Sequence, residues 1–296
     1  MTEAIEAKSI LSRTKNPDAW FGVVWNMNLY RGCQHGCIYC DSRSECYRIE
    51  RFDDVLVKSN AIPLLKKELS QKREINPIGT GAMSDPYTPL EKEWNLTGRA
   101  LALIADFGFP LHLITKSDLI LRDLDTLKRM VFASVSFTLT TTDDALAAIV
   151  EPLAPPPSAR LHAMRVLSEA GIYVGVLMMP VLPFLEDNEA NILSIVERSA
   201  AAGARYIIPW FGMSLRDRQR EYYYQKLDEH FPGLRERYEK KYGEDYNCSV
   251  PQGKALSSAF RARCAEKGIV TDMKKVQRYT PQQLSLLSMF DGRETP

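Results

Sequence analysis

Neither sign of charge dominates this chain. Its 296 residues carry 38 Lys and Arg against 37 Asp and Glu, a formal net charge of +1. That excludes a strongly basic nucleic-acid protein at the level of the whole chain, though not a local basic patch. Disorder is excluded too, because it needs low hydrophobicity with a large net charge, and here 45% of residues are hydrophobic. Long apolar runs are missing. The longest, such as Val174 to Pro183, fall far short of the ~20 residues that span a bilayer. The first residues, Met1 to Lys8, mix charges without an apolar run of signal-peptide length. These absences predict a cytoplasmic protein with no membrane segment. Six cysteines are too few for a disulfide scaffold at this length. No internal repeat stands out, and Pro155-Pro156-Pro157 reads as a stiff connector.

Short β-rich runs do alternate with amphipathic helical stretches from about residue 22 onward. Strands are expected over Gly22 to Asn28, Ile78 to Ala82, Leu111 to Thr115, Val131 to Thr140, Ile172 to Met179 and Tyr206 to Phe211. Helices are expected over Asn60 to Lys72, Leu96 to Phe107, from an Asp118 cap to about Met130, Ser158 to Ala170, and Asn188 to Ala202. Six strands alternating with helices argue for a parallel sheet, either an open doubly wound one or a partial (β/α)6 TIM-like barrel with sites at the C-terminal strand ends. Beyond Met213 the alternation stops and charged helical sequence takes over, at Leu215 to Glu229, Leu234 to Tyr242 and Ala255 to Lys267. The α/β core is therefore assigned to residues 1–212 and an α-helical C-terminal extension to 213–296.

Three cysteines crowd together in Tyr30-Arg-Gly-Cys33-Gln-His-Gly-Cys37-Ile-Tyr-Cys40-Asp41, directly after the first strand. Thiolates spaced four and three residues apart can wrap one compact soft-metal centre. Glycines at 32 and 36 let the backbone turn tightly enough to aim the sulfurs inward. A cubane cluster of four irons held by three cysteines keeps one iron open for chemistry. Two plainer readings compete: a structural zinc site that recruits His35, and buried thiols without a ligand. Against zinc, His35 sits inside the loop, whereas zinc sites usually bring ligands from two separate knuckles.

This C-x3-C-x2-C loop, with an aromatic residue before its third cysteine, resembles the radical S-adenosylmethionine superfamily. From about Val24 to Phe211 the chain resembles the spore photoproduct lyase branch of that superfamily. The shared landmarks are the loop, Ser84-Asp85, Thr115-Lys116, Ser134-Val135-Ser136-Phe137, Val150-Glu151-Pro152 and the Gly171 to Pro180 strand. The resemblance implies a [4Fe–4S] cluster on Cys33, Cys37 and Cys40, whose open iron chelates S-adenosylmethionine. Reductive cleavage then yields a 5′-deoxyadenosyl radical that abstracts hydrogen from the substrate. It further implies that Tyr39 packs near the adenine and that Ser84 and Asp85 replace the usual Gly-Gly-Glu run at the methionine ammonium. Lys116 pairs the methionine carboxylate on this reading, and Ser136 adds a hydroxyl contact. Ordinary structural roles compete at each position: loop packing for Tyr39, a turn at Ser84-Asp85, a solvated Lys116 and a buried strand Ser136.

Two departures bear on the reaction. The lyase aligns a hydrogen-donating cysteine where this chain has Ala82, and a tyrosine where it has Asp41. Cys46, Cys248 or Cys264 can supply a thiol from elsewhere, though each is more ordinarily a plain buried cysteine. The segment Arg216 to Lys226, with Tyr222-Tyr223-Tyr224, reads either as a phosphate- and base-binding surface or as a tyrosine face packed on the barrel. Lys274, Lys275 and Arg278 form a second weak basic patch. The expected function is a radical enzyme acting on a nucleic acid, with a peptide or small metabolite as runner-up. A zinc-stabilised nucleic-acid-binding protein is the non-enzymatic alternative. By resemblance, a flavodoxin or ferredoxin serves as electron donor.

Overall fold

A computed structural model describes residues 3–280. Six parallel strands form its centre: β1 (Trp25–Met27), β2 (Ile78–Thr80), β3 (Leu111–Thr115), β4 (Ala133–Thr138), β5 (Tyr173–Met178) and β6 (Tyr206–Pro209). They lie side by side in sequence order, and Leu11–Arg13 adds an antiparallel edge to β1. That order decides between the two architectures. A doubly wound sheet reverses direction at a switch point, whereas every crossover here advances one place the same way. The chain is a mixed α/β fold with a partial TIM-like barrel.

The crossovers carry helices α1 (Ala61–Ser70), α2 (Leu96–Asp106), α3 (Leu124–Arg129), α4 (Asp144–Val150), α5 (Pro157–Glu169) and α6 (Glu189–Ala201). Successive side chains in a strand point to opposite faces, and the sequence obeys this. Leu111, Leu113, Val135, Phe137, Val174 and Val176 face the helices in the large outer core. Their alternates Ile114, Leu177, Tyr206 and Ile208 join Phe21 and Val23 in a separate core inside the barrel. Gly175 makes room there, since a Cβ at that position would stand 2.4 Å from the Tyr206 ring.

Several expected boundaries shift. Pairing in the first strand is confined to Trp25–Met27, because Phe21 and Gly22 adopt positive φ and turn the chain. Ser117, not Asp118, caps the helix after β3, accepting from the Leu119 amide at 3.3 Å. That helix begins as a 3-10 stretch and turns α only at Leu124. Helix α4 was not anticipated, although Asp143 announces it by accepting from the Ala145 and Leu146 amides. After β6 come α7 (Asp217–His230), α8 (Leu234–Tyr242) and α9 (Gly253–Glu266). Strand pairing does not end at Met213 as expected: Gly212–Ser214 pairs antiparallel with Asn247–Ser249. Three residues on each side are too few to show a period. Residues 281–296 of the expected extension lie outside the described residues. No helix among the described residues is long and apolar enough to cross a membrane.

Candidate functional site

A cavity of about 220 Å³ opens at the C-terminal ends of the strands. The loop after β1 lines one side with Cys33, Cys37 and Cys40. Opposite stand Gly81 to Met83 and Asp85 after β2, Lys116 after β3, Thr138 at the end of β4, Pro180 after β5 and Trp210 after β6. Glycine is required at two turns. At Gly32, φ +94°, a Cβ would lie 2.4 Å from the Phe52 carbonyl oxygen. At Gly81, φ +97°, it would lie 1.9 Å from the Ile114 carbonyl oxygen.

The cysteine loop is held from three directions. The Cys33 amide donates to the Phe52 carbonyl and the Ile38 amide to the Val150 carbonyl, each at 3.0 Å, while the His35 carbonyl accepts from the Leu153 amide at 3.0 Å. Tyr39 donates its hydroxyl to Glu151, which also pairs with Arg160 from α5. The third hold comes from α7 and its approach. Asp41 accepts from the Ser214 hydroxyl at 2.8 Å, the Arg216 guanidinium at 2.7 Å and the Tyr47 hydroxyl at 3.0 Å. Arg218 donates to the Arg43 and Ile49 carbonyls, and Arg220 to the Leu215 and Asp245 carbonyls. The arginines that read as candidate phosphate contacts are thus engaged within the chain, and Tyr223 and Tyr224 are buried. Lys274, Lys275 and Arg278 sit near the opposite end of the strands, where Arg278 meets Asp18 at 3.3 Å.

Charge is concentrated at this mouth. Burial would raise the Asp85 carboxyl, but His35, the Thr115 hydroxyl and the Lys116 amide hold it down to about 2. Its Oδ1 accepts from Thr115 at 2.7 Å and the Tyr87 amide at 2.9 Å, and its Oδ2 from the Lys116 amide at 2.7 Å. His35 Nδ1 lies 3.4 Å from Oδ2. Burial disfavours the His35 charge, yet Asp85 and Cys33 push it up to about 10. Burial also opposes the Lys116 ammonium, but Cys37 and Glu151 keep it charged. That ammonium has no hydrogen bond or ion pair among the described residues, and Tyr39 offers only its ring face, at 5.8 Å. Glu186, fully buried nearby, is pushed up to about 8, chiefly by burial.

The structure brings Cys33, Cys37, Cys40, Tyr39, Asp85 and Lys116 to one cavity and leaves out two expected residues. Ser84 is buried but does not line the cavity, whereas its neighbours Met83 and Asp85 do. Ser136 points into the barrel a layer deeper, its hydroxyl 2.7 Å from that of Tyr206 and 3.3 Å from His112 Nε2. Ala82 faces the cavity. Cys46 is exposed and Cys248 and Cys264 are buried, and none of the three lines the cavity. Sequence reasoning missed Arg160, which acts from an outer helix, and the wall formed by Trp210, Met213 and Ser214.

A partial parallel barrel whose first loop presents three thiols at the C-terminal strand ends defines a class of cofactor enzyme. The model of the radical SAM superfamily matches residues 27–195, more than half of the chain, and the chain belongs to that superfamily. It is a radical SAM enzyme, and the superfamily's cofactors are a [4Fe–4S] cluster and S-adenosylmethionine. The chain is 33% identical to the uncharacterized protein Rv2578c of Mycobacterium tuberculosis over 247 residues, covering 79% of this chain and 72% of that one. With the uncharacterized protein MJ0683 of Methanocaldococcus jannaschii it shares 35% identity over 188 residues, 62% of this chain and 69% of that one. Among solved structures it is similar in fold to spore photoproduct lyase complexed with dinucleoside spore photoproduct. The TM-score there is 0.66 at 17% identity, over 90% of this chain and 80% of that one.

Proposed function

We propose that Cys33, Cys37 and Cys40 hold a [4Fe–4S] cluster and that the enzyme abstracts hydrogen from a nucleic-acid substrate. The observation carrying this reading is the cavity itself: three thiols of one loop open onto it, facing the half-buried Lys116 ammonium, which has no hydrogen bond or ion pair among the described residues. Thiolates are the donors an iron–sulfur cluster takes. Among the described residues no three His, Cys, Asp or Glu side chains are grouped to hold one metal ion.

The bound cluster supplies the electron that breaks a carbon–sulfur bond of S-adenosylmethionine, with a flavodoxin or ferredoxin as the source. The chain's own residues do the rest. Lys116 offers its charge to the methionine carboxylate, a pairing strengthened by exclusion of water. Asp85 has both oxygens engaged, so its part is to fix Lys116 through the backbone amide more than to grip the ammonium. Tyr39, tethered to Glu151, presents its ring to the cavity. Trp210 is 41% exposed on the cavity wall and offers a face on which a nucleobase stacks. The dinucleoside bound by the similarly folded lyase supports the same substrate class.

Protein purified without oxygen should carry about four irons and four sulfides per chain, and alanine at Cys33, Cys37 or Cys40 should abolish them. With dithionite it should convert S-adenosylmethionine to 5′-deoxyadenosine. Stoichiometric zinc without visible absorbance sinks the proposal. Because Ala82 replaces the lyase's thiol and no other cysteine lines the cavity, dinucleotide spore photoproduct should not be turned cleanly into thymine. Repeated turnovers to thymine would show that a hydrogen donor had been overlooked.

A further inference from the structure

We infer that Arg160 is a positioning residue for S-adenosylmethionine: through Glu151 it orients the Tyr39 ring that the cavity presents to the adenine. The inference rests on the reading above that this cofactor binds in the cavity. Arg160 belongs to α5, on the outside of the barrel, and does not line the cavity. Its side chain is nevertheless only 1% exposed, as is that of Glu151. One Glu151 oxygen pairs with the guanidinium, and the other accepts from the Tyr39 hydroxyl. The rest of the guanidinium is anchored to backbone, Nε donating to the Pro155 carbonyl at 2.7 Å and Nη1 to the Thr138 carbonyl at 3.1 Å. Thr138 ends β4 and lines the same cavity as Tyr39. One side chain therefore sets the ring on one wall against the strand end on the other.

This linkage orients the ring and is not what holds the loop. Backbone bonds already join the cysteine loop to residues 150–153, from the Ile38 amide to the Val150 carbonyl and from the Leu153 amide to the His35 carbonyl, each at 3.0 Å. Neither bond needs the side chain of Glu151 or Arg160. A buried ion pair also adds little net stability, because desolvation offsets the attraction. What this pair fixes is direction. With its hydroxyl tied, the Tyr39 ring cannot turn freely, and an adenine that stacks on it meets a face already in place.

The test compares wild type, Tyr39→Phe, Arg160→Met and the double variant after anaerobic reconstitution. Iron and sulfide are counted first, and binding of S-adenosylmethionine and of methionine is then read by calorimetry. Full clusters are expected throughout. Each single variant should bind S-adenosylmethionine about fivefold more weakly, the scale of one net hydrogen bond. The double variant should be no weaker than Arg160→Met, since both changes cut one linkage. Methionine, which carries no base, should bind every variant alike. Multiplied losses in the double variant overturn the inference and leave the cofactor reading intact. So do an Arg160→Met that binds S-adenosylmethionine like wild type, an equal loss for methionine, or loss of the cluster. Removing Arg160 alone strands the Glu151 charge, so Glu151→Gln combined with Arg160→Met supplies the same comparison if Arg160→Met does not fold. A wild type with a full cluster that binds no S-adenosylmethionine overturns the cofactor reading itself, and this inference with it.

Discussion

Inside the barrel, at the level of Ser136, polar groups satisfy one another. Its hydroxyl meets Tyr206 at 2.7 Å, His112 Nδ1 meets the Ser134 hydroxyl at 2.7 Å, and Phe21 stacks on the His112 ring at 3.7 Å. Burial holds His112 down to about 3, so the layer carries no charge. Two residues further along the same strands, Lys116 and Thr138 reach a cavity with three thiols, a fixed carboxylate and an unpaired ammonium. Buried polar groups that complete each other rigidify a core. Lys116 is instead half-buried, its ammonium met by no other side chain among the described residues and so open to a ligand. The lower layer is built to stay closed, and the upper one is built around a ligand.

The largest effects should separate the layers completely. Gly175→Ala drives a methyl into the Tyr206 ring and should cost about 3 kcal/mol of stability, measured by denaturant unfolding, while the protein that does fold keeps its cluster. Cys40→Ala should do the opposite, abolishing the cluster while moving the midpoint of the metal-free protein little. If Gly175→Ala is as stable as wild type, the lower layer is loose and the contrast fails.

Lys116→Met tests the unpaired cation. The ammonium is half-buried at the cavity mouth, so removing it should change the stability of the metal-free protein little. The cluster-loaded variant should bind S-adenosylmethionine about tenfold more weakly, the scale of a charged hydrogen bond, as measured by calorimetry. Unchanged affinity would mean that Lys116 faces something else.

The two layers also explain what the sequence could and could not disclose. Strand β3 was legible to the residue because Leu111 to Thr115 is apolar-rich and closely bounded, and the cysteine loop was legible because its three thiols lie in eight positions. Ser136 was offered as a hydroxyl contact or a buried strand serine, and the structure has it buried on the inward face, deeper than the cavity. Period two tells which way a side chain points, not how deep along the barrel it lies. Thr138, two residues on and roughly 7 Å higher, lines the cavity in its stead. Asp85 was legible as a residue of this strand end, and its turn-forming bond to the Tyr87 amide is local, but its other donors, the Thr115 hydroxyl and the Lys116 amide, come from 30 and 31 residues away, where no local pattern records them. The role of Arg218 and Arg220 in α7 stayed open in the sequence for a similar reason. Their acceptors are backbone carbonyls near residues 43–49 and 245, and carbonyls have no sequence signature.

Glu186 offers the smallest effect and the finest distinction, because it asks whether the upper layer holds another charge. It is fully buried in the segment that follows Pro180, accepting from the Thr140 hydroxyl at 2.7 Å and the Leu182 amide at 2.9 Å. Burial chiefly, with Glu151 adding to it, moves this carboxyl from an ordinary 4.5 up to about 8. The folded protein therefore keeps this proton at neutral pH, while the unfolded chain loses it near 4.5. Across that window the folded state binds more protons than the unfolded one, so this group's contribution to stability falls as pH rises, by at most about 1.4 kcal/mol per unit. The fall should level off above the folded value, once both states are ionised. Glu186→Gln has no such proton to lose. Denaturant unfolding of both proteins at about pH 6 and about pH 7 should show wild type losing roughly 1 kcal/mol more than the variant. If the two lose stability in parallel, Glu186 is ionised in the fold, and the upper layer carries a negative charge facing Glu151 that some cation must balance.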